Sequence, residues 1–195
     1  MWDDRYNTDE YIFGMNPNAF LVSIIDQIPK GRILCIAEGE GRNAVYLARA
    51  GYDVTAVDQS PVGLKKAETL ASNHGVSIQT IAANLSDYQI EKNSWDAVIS
   101  IFCHLPPDLR KDVHNQVAAC LRPSGVLVLE AYTPNQLNYD TGGPSNIQLL
   151  MTLDELKKEF DGMKFVIGQE IVRDTMDGDQ IVGKSAVVQI LAKKV

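Results

Sequence analysis

The chemistry-bearing residues of this chain gather first in one short stretch. A β-branched run ends at Ala37, and Glu38, Gly39, Glu40 and Gly41 follow before a helical pattern begins. Glycines at such a junction let backbone approach a ligand closely or take φ > 0. A helix opening near Gly41 offers unpaired N–H groups and the positive end of its dipole. The bland alternative is a tight turn whose glycines serve packing alone. Seventeen residues after Gly41, Asp58 ends a second apolar run. A carboxylate there can take both hydroxyls of a ribose. It could also cap the next helix, but Ser60 supplies a cap, Pro61 fits the first turn, and Asp58 is left over. Turn and carboxylate together describe a seat for a nucleoside-bearing ligand.

Residues suited to proton chemistry are fewer. His104 lies in FCHLPP, just after an apolar run, where it could accept a proton, position a substrate or simply bond nearby backbone. Tyr132 ends another run and could donate a hydrogen bond or pack at the rim. His74 reads as a helix-end residue and His114 as one on a helix face. Arg5, Tyr6, Tyr11 and Phe13 form a mixed aromatic and basic patch, either a lid that excludes water or a tie between the tail and the core. Gly142, Gly143 and Pro144 give the sharp turns of a substrate loop or of a surface excursion. The charged run 154–159 reads as a solvated helix face, and Met151 and Leu156 as packing residues.

The elements that would position these groups alternate. Strand-like runs fall at 33–37, 53–58, 76–82, 95–102 and 125–132, with helical stretches at 41–50, 61–74 and 107–121 between them. This order predicts right-handed crossovers and a parallel sheet covered on both faces. Runs at 165–174 and 185–193, joined by the turn-rich segment 174–183, predict a terminal antiparallel hairpin. The expected fold is α/β: a doubly wound, Rossmann-like three-layer sandwich on a seven-stranded, mostly parallel sheet. Residues 1–29 predict one helix, capped by Asn16 or Asn18 with Pro17 in its first turn, as an N-terminal lid segment. Residues 133–151 form a long connection and a candidate substrate loop. Thr152 and Glu155 make a capping box for a helix at 152–160.

Bulk properties narrow the function. The 195 residues suit a single domain, 1–195, and a net charge of −7 argues against nucleic acid or an anionic membrane as partner. Cys35, Cys103 and Cys120 show no metal-ligand spacing and read as buried reduced thiols. The start of the chain is too acidic and polar for a signal peptide, and no apolar run approaches a membrane span. A cytoplasmic protein, monomeric or homodimeric and without a metal, is expected.

Which nucleoside ligand? Gly39, Gly41 and Ala44 satisfy the loose dinucleotide fingerprint, so a nicotinamide cofactor has to be weighed. Against it stand Glu38 where a pyrophosphate would approach and the terminal hairpin. The run AEGEGRNAVYLA and the order of elements resemble class I S-adenosylmethionine (SAM)-dependent methyltransferases. FCHLP and WDDRY…YIFGMNPNAFL are similar to the small tellurite-resistance-type bacterial members. The resemblance implies that Ala37, Glu38, Gly39 and Gly41, with Asn43, line the methionine part of SAM. It implies Asp58 on the ribose, Gln59 beside the adenine, Asn84 facing its amino group and Leu85 against its ring. Ile101, Phe102 and Cys103 would flank the cofactor near the methyl, and Tyr11 and Gly14 would cover it. Cys35 and Ala37 depart from the Asp and Gly of the common motif, and Glu38 from a small residue; binding is expected to survive. The implied reaction is methyl transfer to a small-molecule acceptor, a thiol or a selenium or tellurium species, releasing S-adenosylhomocysteine, with His104 and Tyr132 as candidate catalytic residues. The alternatives are an NAD(P)-dependent oxidoreductase and a non-catalytic SAM-binding regulator.

Overall fold

A computed structural model describes residues 2–177 and 181–195. Strands β1 (Arg32–Ile36), β2 (Asp53–Asp58), β3 (Gln79–Ala82), β4 (Trp95–Ile101) and β5 (Leu121–Tyr132) pair in parallel. Strand β7 (Ile181–Lys194) runs antiparallel to β5, and β6 (Met163–Asp177) antiparallel to β7, giving the order β3-β2-β1-β4-β5-β7-β6. This is the expected seven-stranded sheet with its terminal hairpin.

Both faces are covered, which explains the uninterrupted apolar strands. Helices α3 (Arg42–Arg49) and α4 (Pro61–Asn73) cover one face, where Ile33, Cys35, Ala44, Leu47, Leu64, Ile99 and Val128 are buried together. Helices α5 (Pro107–Cys120) and α6 (Leu153–Glu159) cover the other, over Leu34, Val98, Val117, Leu129, Leu156 and Phe160. Ser60 caps α4 with Pro61 in its first turn, and Thr152 and Glu155 close a capping box on α6, both as expected.

Four local differences from the sequence expectation have physical causes. The first 29 residues hold two short helices, α1 (Trp2–Tyr6) and α2 (Ala19–Ser23), and a 3₁₀ turn at Ile25–Gln27, rather than one helix. Asn18 is the cap of α2, accepting from Leu21 N–H, so Pro17 lies before the cap. Strand β3 begins at Gln79, not 76, because Val76 N–H is spent on Ala71 at the end of α4. Strand β5 begins four residues early and takes up the extra chain in a register shift opposite Trp95 and Ala97. The hairpin strands run past their expected ends: Asp174, Thr175 and Met176 pair with Lys184, Gly183 and Val182, so turn-like residue types are overridden by the ladder. Of the expected turn 174–183, residues 178–180 lie outside the described residues.

Among the described residues, no helix is long and apolar enough to cross a membrane. Cys35, Cys103 and Cys120 are buried free thiols.

Candidate active site

The sheet order reverses between β1 and β4, and that switch point is where an open α/β sheet holds its ligands. The two strands leave it in the same unusual way. Ala37, after β1, has φ 51°, and Phe102, after β4, has φ 55°. Left-handed backbone at a residue with a Cβ costs about 1 kcal/mol or more and is held in place by its surroundings, commonly at functional sites.

The glycine turn is built by carboxylates. Glu38 Oε1 accepts from the N–H groups of Asn43 (2.9 Å) and Ala44 (2.7 Å), so Glu38 caps α3 from below. Burial pushes its carboxyl up to about 7, against those two hydrogen bonds and the Arg42 charge, and with the Asp58 charge adding to the rise. Asp58 is 7% exposed. Its Oδ2 accepts from Gly39 N–H and its Oδ1 from Ser60 N–H, both at 2.8 Å, which pins the turn to the end of β2. Burial raises this carboxyl too. Each Asp58 oxygen keeps a second lone pair, enough to accept two hydroxyls.

The two glycines divide the readings weighed for them. Gly41, at φ 88°, caps α3, and a Cβ there would lie 2.4 Å from Ala67 Cβ on α4. Packing therefore demands this glycine. At Gly39 (φ 61°) the nearest atom to such a Cβ is the Tyr6 hydroxyl, at 2.6 Å.

That hydroxyl belongs to a strap that crosses the turn. Tyr6 is 5% exposed, and its phenol is pushed up by burial and by the charges of Asp58 and Glu40. Trp2 stacks on Tyr6, and the Arg5 guanidinium lies 5.2 Å from the Trp2 and Phe13 ring centres. The Asp3 carboxylate accepts from the Ser60 hydroxyl. Lys66 on α4 gathers the strap. Its ammonium donates to the carbonyls of Tyr6, Thr8 and Glu10, pairs with Glu40 at 2.5 Å and lies 4.9 Å from the Tyr11 ring centre. Glu40 in turn accepts from Ile12 N–H at 2.8 Å.

At the ends of β4 and β5 three rings stack. Phe102 and Tyr132 are 4.6 Å apart, and His104 and Tyr132 5.5 Å. His104 Nδ1 donates to Leu149 C=O (2.8 Å), and Nε2 faces Tyr132 N–H at 3.5 Å. Burial drives the His104 pKa down to about 4, so the ring is neutral at physiological pH. Loop 133–151 closes over Tyr132: a Cβ at Gly143 would meet the Tyr132 ring at 2.9 Å. Cys103 is buried, with a thiol pushed up to about 12, too basic to supply thiolate.

The residues singled out from sequence thus fall into groups. Ala37, Glu38, Gly39, Gly41, Asn43 and Asp58 come together at the turn. Ile101, Phe102, Cys103, His104 and Tyr132 line the neighbouring strand ends. Gln59 and Asn84 are exposed, and Asn84 Oδ1 accepts from Ser86 N–H in its own turn. Leu85 is buried in the core of the α5 face. Tyr11 and Gly14 lie over α3 and α4: Tyr11 donates to Lys66 C=O, and Gly14 N–H closes a turn on Tyr11. His114 is tied to Glu159 at 2.6 Å, a structural role. A further group was not singled out. Glu130, wholly buried, accepts from Asn18, Gln189 and Arg173. The signal was a lone carboxylate inside the apolar run GVLVLEAY.

Comparison with known proteins agrees with this geometry. Residues 33–125 match the Methyltransferase domain family. An uncharacterized methyltransferase of Bacillus subtilis, YbaJ, is 26% identical over 111 residues, 56% of this chain and 44% of its own length. The glycine/sarcosine N-methyltransferase of Halorhodospira halochloris is 30% identical over 145 residues, 71% of this chain and 51% of its own. The chain thus spans about half the length of these curated relatives. The structure of TehB from Haemophilus influenzae superposes with a TM-score of 0.76 at 20% identity, covering 100% of this chain and 66% of that one. Residues 33–125 thus carry a methyltransferase-family match, and the fold of the chain is like that of TehB.

Proposed function

We propose that this protein transfers a methyl group from SAM to a small-molecule acceptor. One observation carries the assignment: Asp58 ends β2, one strand over from the switch point, pinned to Gly39 N–H, with lone pairs to spare for a ribose. The charge around it also suits SAM. Glu38 has its carboxyl raised to about 7 by burial, and Asp58 sits nearby, so the cradle favours a cation. In this scheme Ala37 to Gly41 and Asn43 hold the methionine part, with Gln59, Asn84 and Leu85 on the adenine side. Ile101, Phe102 and Cys103 border the methyl. The strap of residues 2–14, with Tyr6, Tyr11 and Gly14, is the lid, and loop 133–151 covers the acceptor.

Bound SAM supplies a methyl on an already activated sulfonium, so the chain's task is alignment and exclusion of water. The Phe102–Tyr132–His104 stack forms the wall on the acceptor side. His104, neutral and engaged at both ring nitrogens, is a weak base. That favours an acceptor needing little help, such as a thiol or a reduced selenium or tellurium species, over a hydroxyl. Catalysis would be cytoplasmic, by a monomer or homodimer. Calorimetry with SAM, S-adenosylhomocysteine and NAD tests the cofactor: the first two should bind and NAD should not. Tight binding of NAD with none of SAM would replace this reading with the oxidoreductase. Release of S-adenosylhomocysteine in a screen of thiols and chalcogen oxyanions separates an enzyme from a SAM-binding regulator.

A further inference from the structure

Buried polar atoms without partners mark the far end of the rim. Among the described residues, Arg173 Nε and Thr175 Oγ1 are shielded from solvent and make no hydrogen bond, and Thr175 is 3% exposed. They lie two residues apart on β6, so their side chains leave one face of the hairpin. A stranded donor or acceptor costs stability, and native proteins keep few. Trp95 Nε1 is stranded too, but it sits beneath the Arg32 guanidinium at the opposite end of the strands.

The Arg173 guanidinium is held still. Its Nη2 donates to Glu130 at 2.5 Å and its Nη1 to Asp174 C=O at 3.3 Å. Glu130 also accepts from Gln189 at Oε2 (2.5 Å) and Asn18 at Oε1 (2.8 Å), and its charge is balanced by Arg173. What is left is a fixed Nε–H donor beside a buried hydroxyl. The hairpin rungs Arg173–Ser185 and Thr175–Gly183 stand beyond Tyr132–Val187, the last rung β5 provides. They therefore overhang the rim that carries the Phe102–Tyr132 stack. Loop 133–151 reaches the same place: Thr141 Oγ1 donates to Lys184 C=O at 2.6 Å, and its methyl lies 2.8 Å from where a Gly183 Cβ would be.

We propose that Arg173 and Thr175 seat the non-reacting end of the methyl acceptor, and that this end is a carboxylate or a similar oxyanion. The inference rests on the methyl-transfer reading above and adds the chemical class of its acceptor. A charge-assisted N–H and a hydroxyl both donate to such an oxygen, whereas an ammonium would meet the positive Arg173 guanidinium.

Acetate is the probe. It is titrated into the full-length protein with and without saturating S-adenosylhomocysteine. The Arg173 Nε–H resonance is followed by ¹H–¹⁵N NMR and assigned by its disappearance in Arg173→Lys. A saturable shift is expected, with none from ethylammonium. Thr175→Val should weaken acetate roughly five- to tenfold, the scale of one hydrogen bond, without changing the S-adenosylhomocysteine affinity. An unmoved resonance, an equal response to ethylammonium, or an unchanged acetate affinity in Thr175→Val overturns the proposal. Calorimetry with S-adenosylhomocysteine on the same sample keeps the two questions apart. Its failure counts against the cofactor reading, while the acetate titration of unliganded protein still reads the seat.

Discussion

The two sides of the rim are assembled in opposite ways. On the β1–β2 side, the polar contacts that shape the turn are local: Glu38 reaches five and six residues on, and Asp58 reaches Ser60 two residues on and Gly39 nineteen back. On the β5–β6–β7 side, Glu130 is bonded to residues 43, 59 and 112 positions away. In the proposed reading the first side holds SAM within a short sequence unit. The second, a long-range network whose chemistry depends on hairpin register, is the side proposed for the acceptor.

Mutation should separate the two sides. Glu130→Ala has the largest expected effect. It strips the acceptor from a buried guanidinium and two amides, and should cost about 3–5 kcal/mol in urea unfolding. Restoring most of that loss with the double variant Glu130→Leu/Arg173→Met would confirm that the unpaired charge, not lost volume, is the cause. A cost under 1 kcal/mol would mean that the long-range network does not hold the hairpin. Gly41→Ala comes next, at roughly 2–4 kcal/mol, from left-handed backbone plus overlap with Ala67. A fall in Tm is the readout, and an unchanged Tm would show that α3 and α4 can part at no cost.

Asp58→Ala should weaken S-adenosylhomocysteine binding by roughly 1.5–3 kcal/mol, the scale of hydrogen bonds to a charged group. Calorimetry that finds wild-type affinity would remove the ribose from Asp58. The pH response is the smallest effect. Glu38 has a folded pKa of about 7, so below that pH it is protonated and lends no charge to a cation. Its neighbours are Arg42, Asp58 and the buried Cys35 thiol. SAM affinity should therefore rise up to about tenfold from pH 6 to 8, more than S-adenosylhomocysteine affinity, and Glu38→Gln should flatten the slope. The same raised carboxyl stabilises the fold while protonated and loses that contribution as pH rises toward and through about 7. Glu38→Gln, which keeps an oxygen for the α3 cap, should then raise Tm at pH 8. A SAM affinity flat with pH in the wild type would contradict this assignment.

Legibility followed the same division. The alternation of strands and helices, the capping box at Thr152, and the placing of Glu38, Gly39 and Asp58 were readable because each is signalled within a short run of sequence, at a strand end or a helix start. The single N-terminal helix was not found because Asn18 caps a helix only five residues long, and a 3₁₀ turn follows it. The extra length of β6 and β7 was hidden by Asp174, Thr175 and Gly183, turn formers held in a ladder by their partners. Tyr6 was visible as part of an aromatic patch, but its place over Gly39 depends on Lys66 collecting three strap carbonyls. The Glu130 network joins four separate elements, and only the oddity of a carboxylate in an apolar strand hinted at it.

The central claim is that the glycine turn and Asp58 hold the adenosyl group of SAM beneath the N-terminal strap. A crystal structure of the protein with S-adenosylhomocysteine tests it most directly. The account predicts both ribose hydroxyls within 3.2 Å or so of the Asp58 carboxylate, the thioether between Ala37 and Phe102, and the strap closed above. Density for the ligand elsewhere, with Asp58 still bonded only to Gly39 and Ser60, would contradict it.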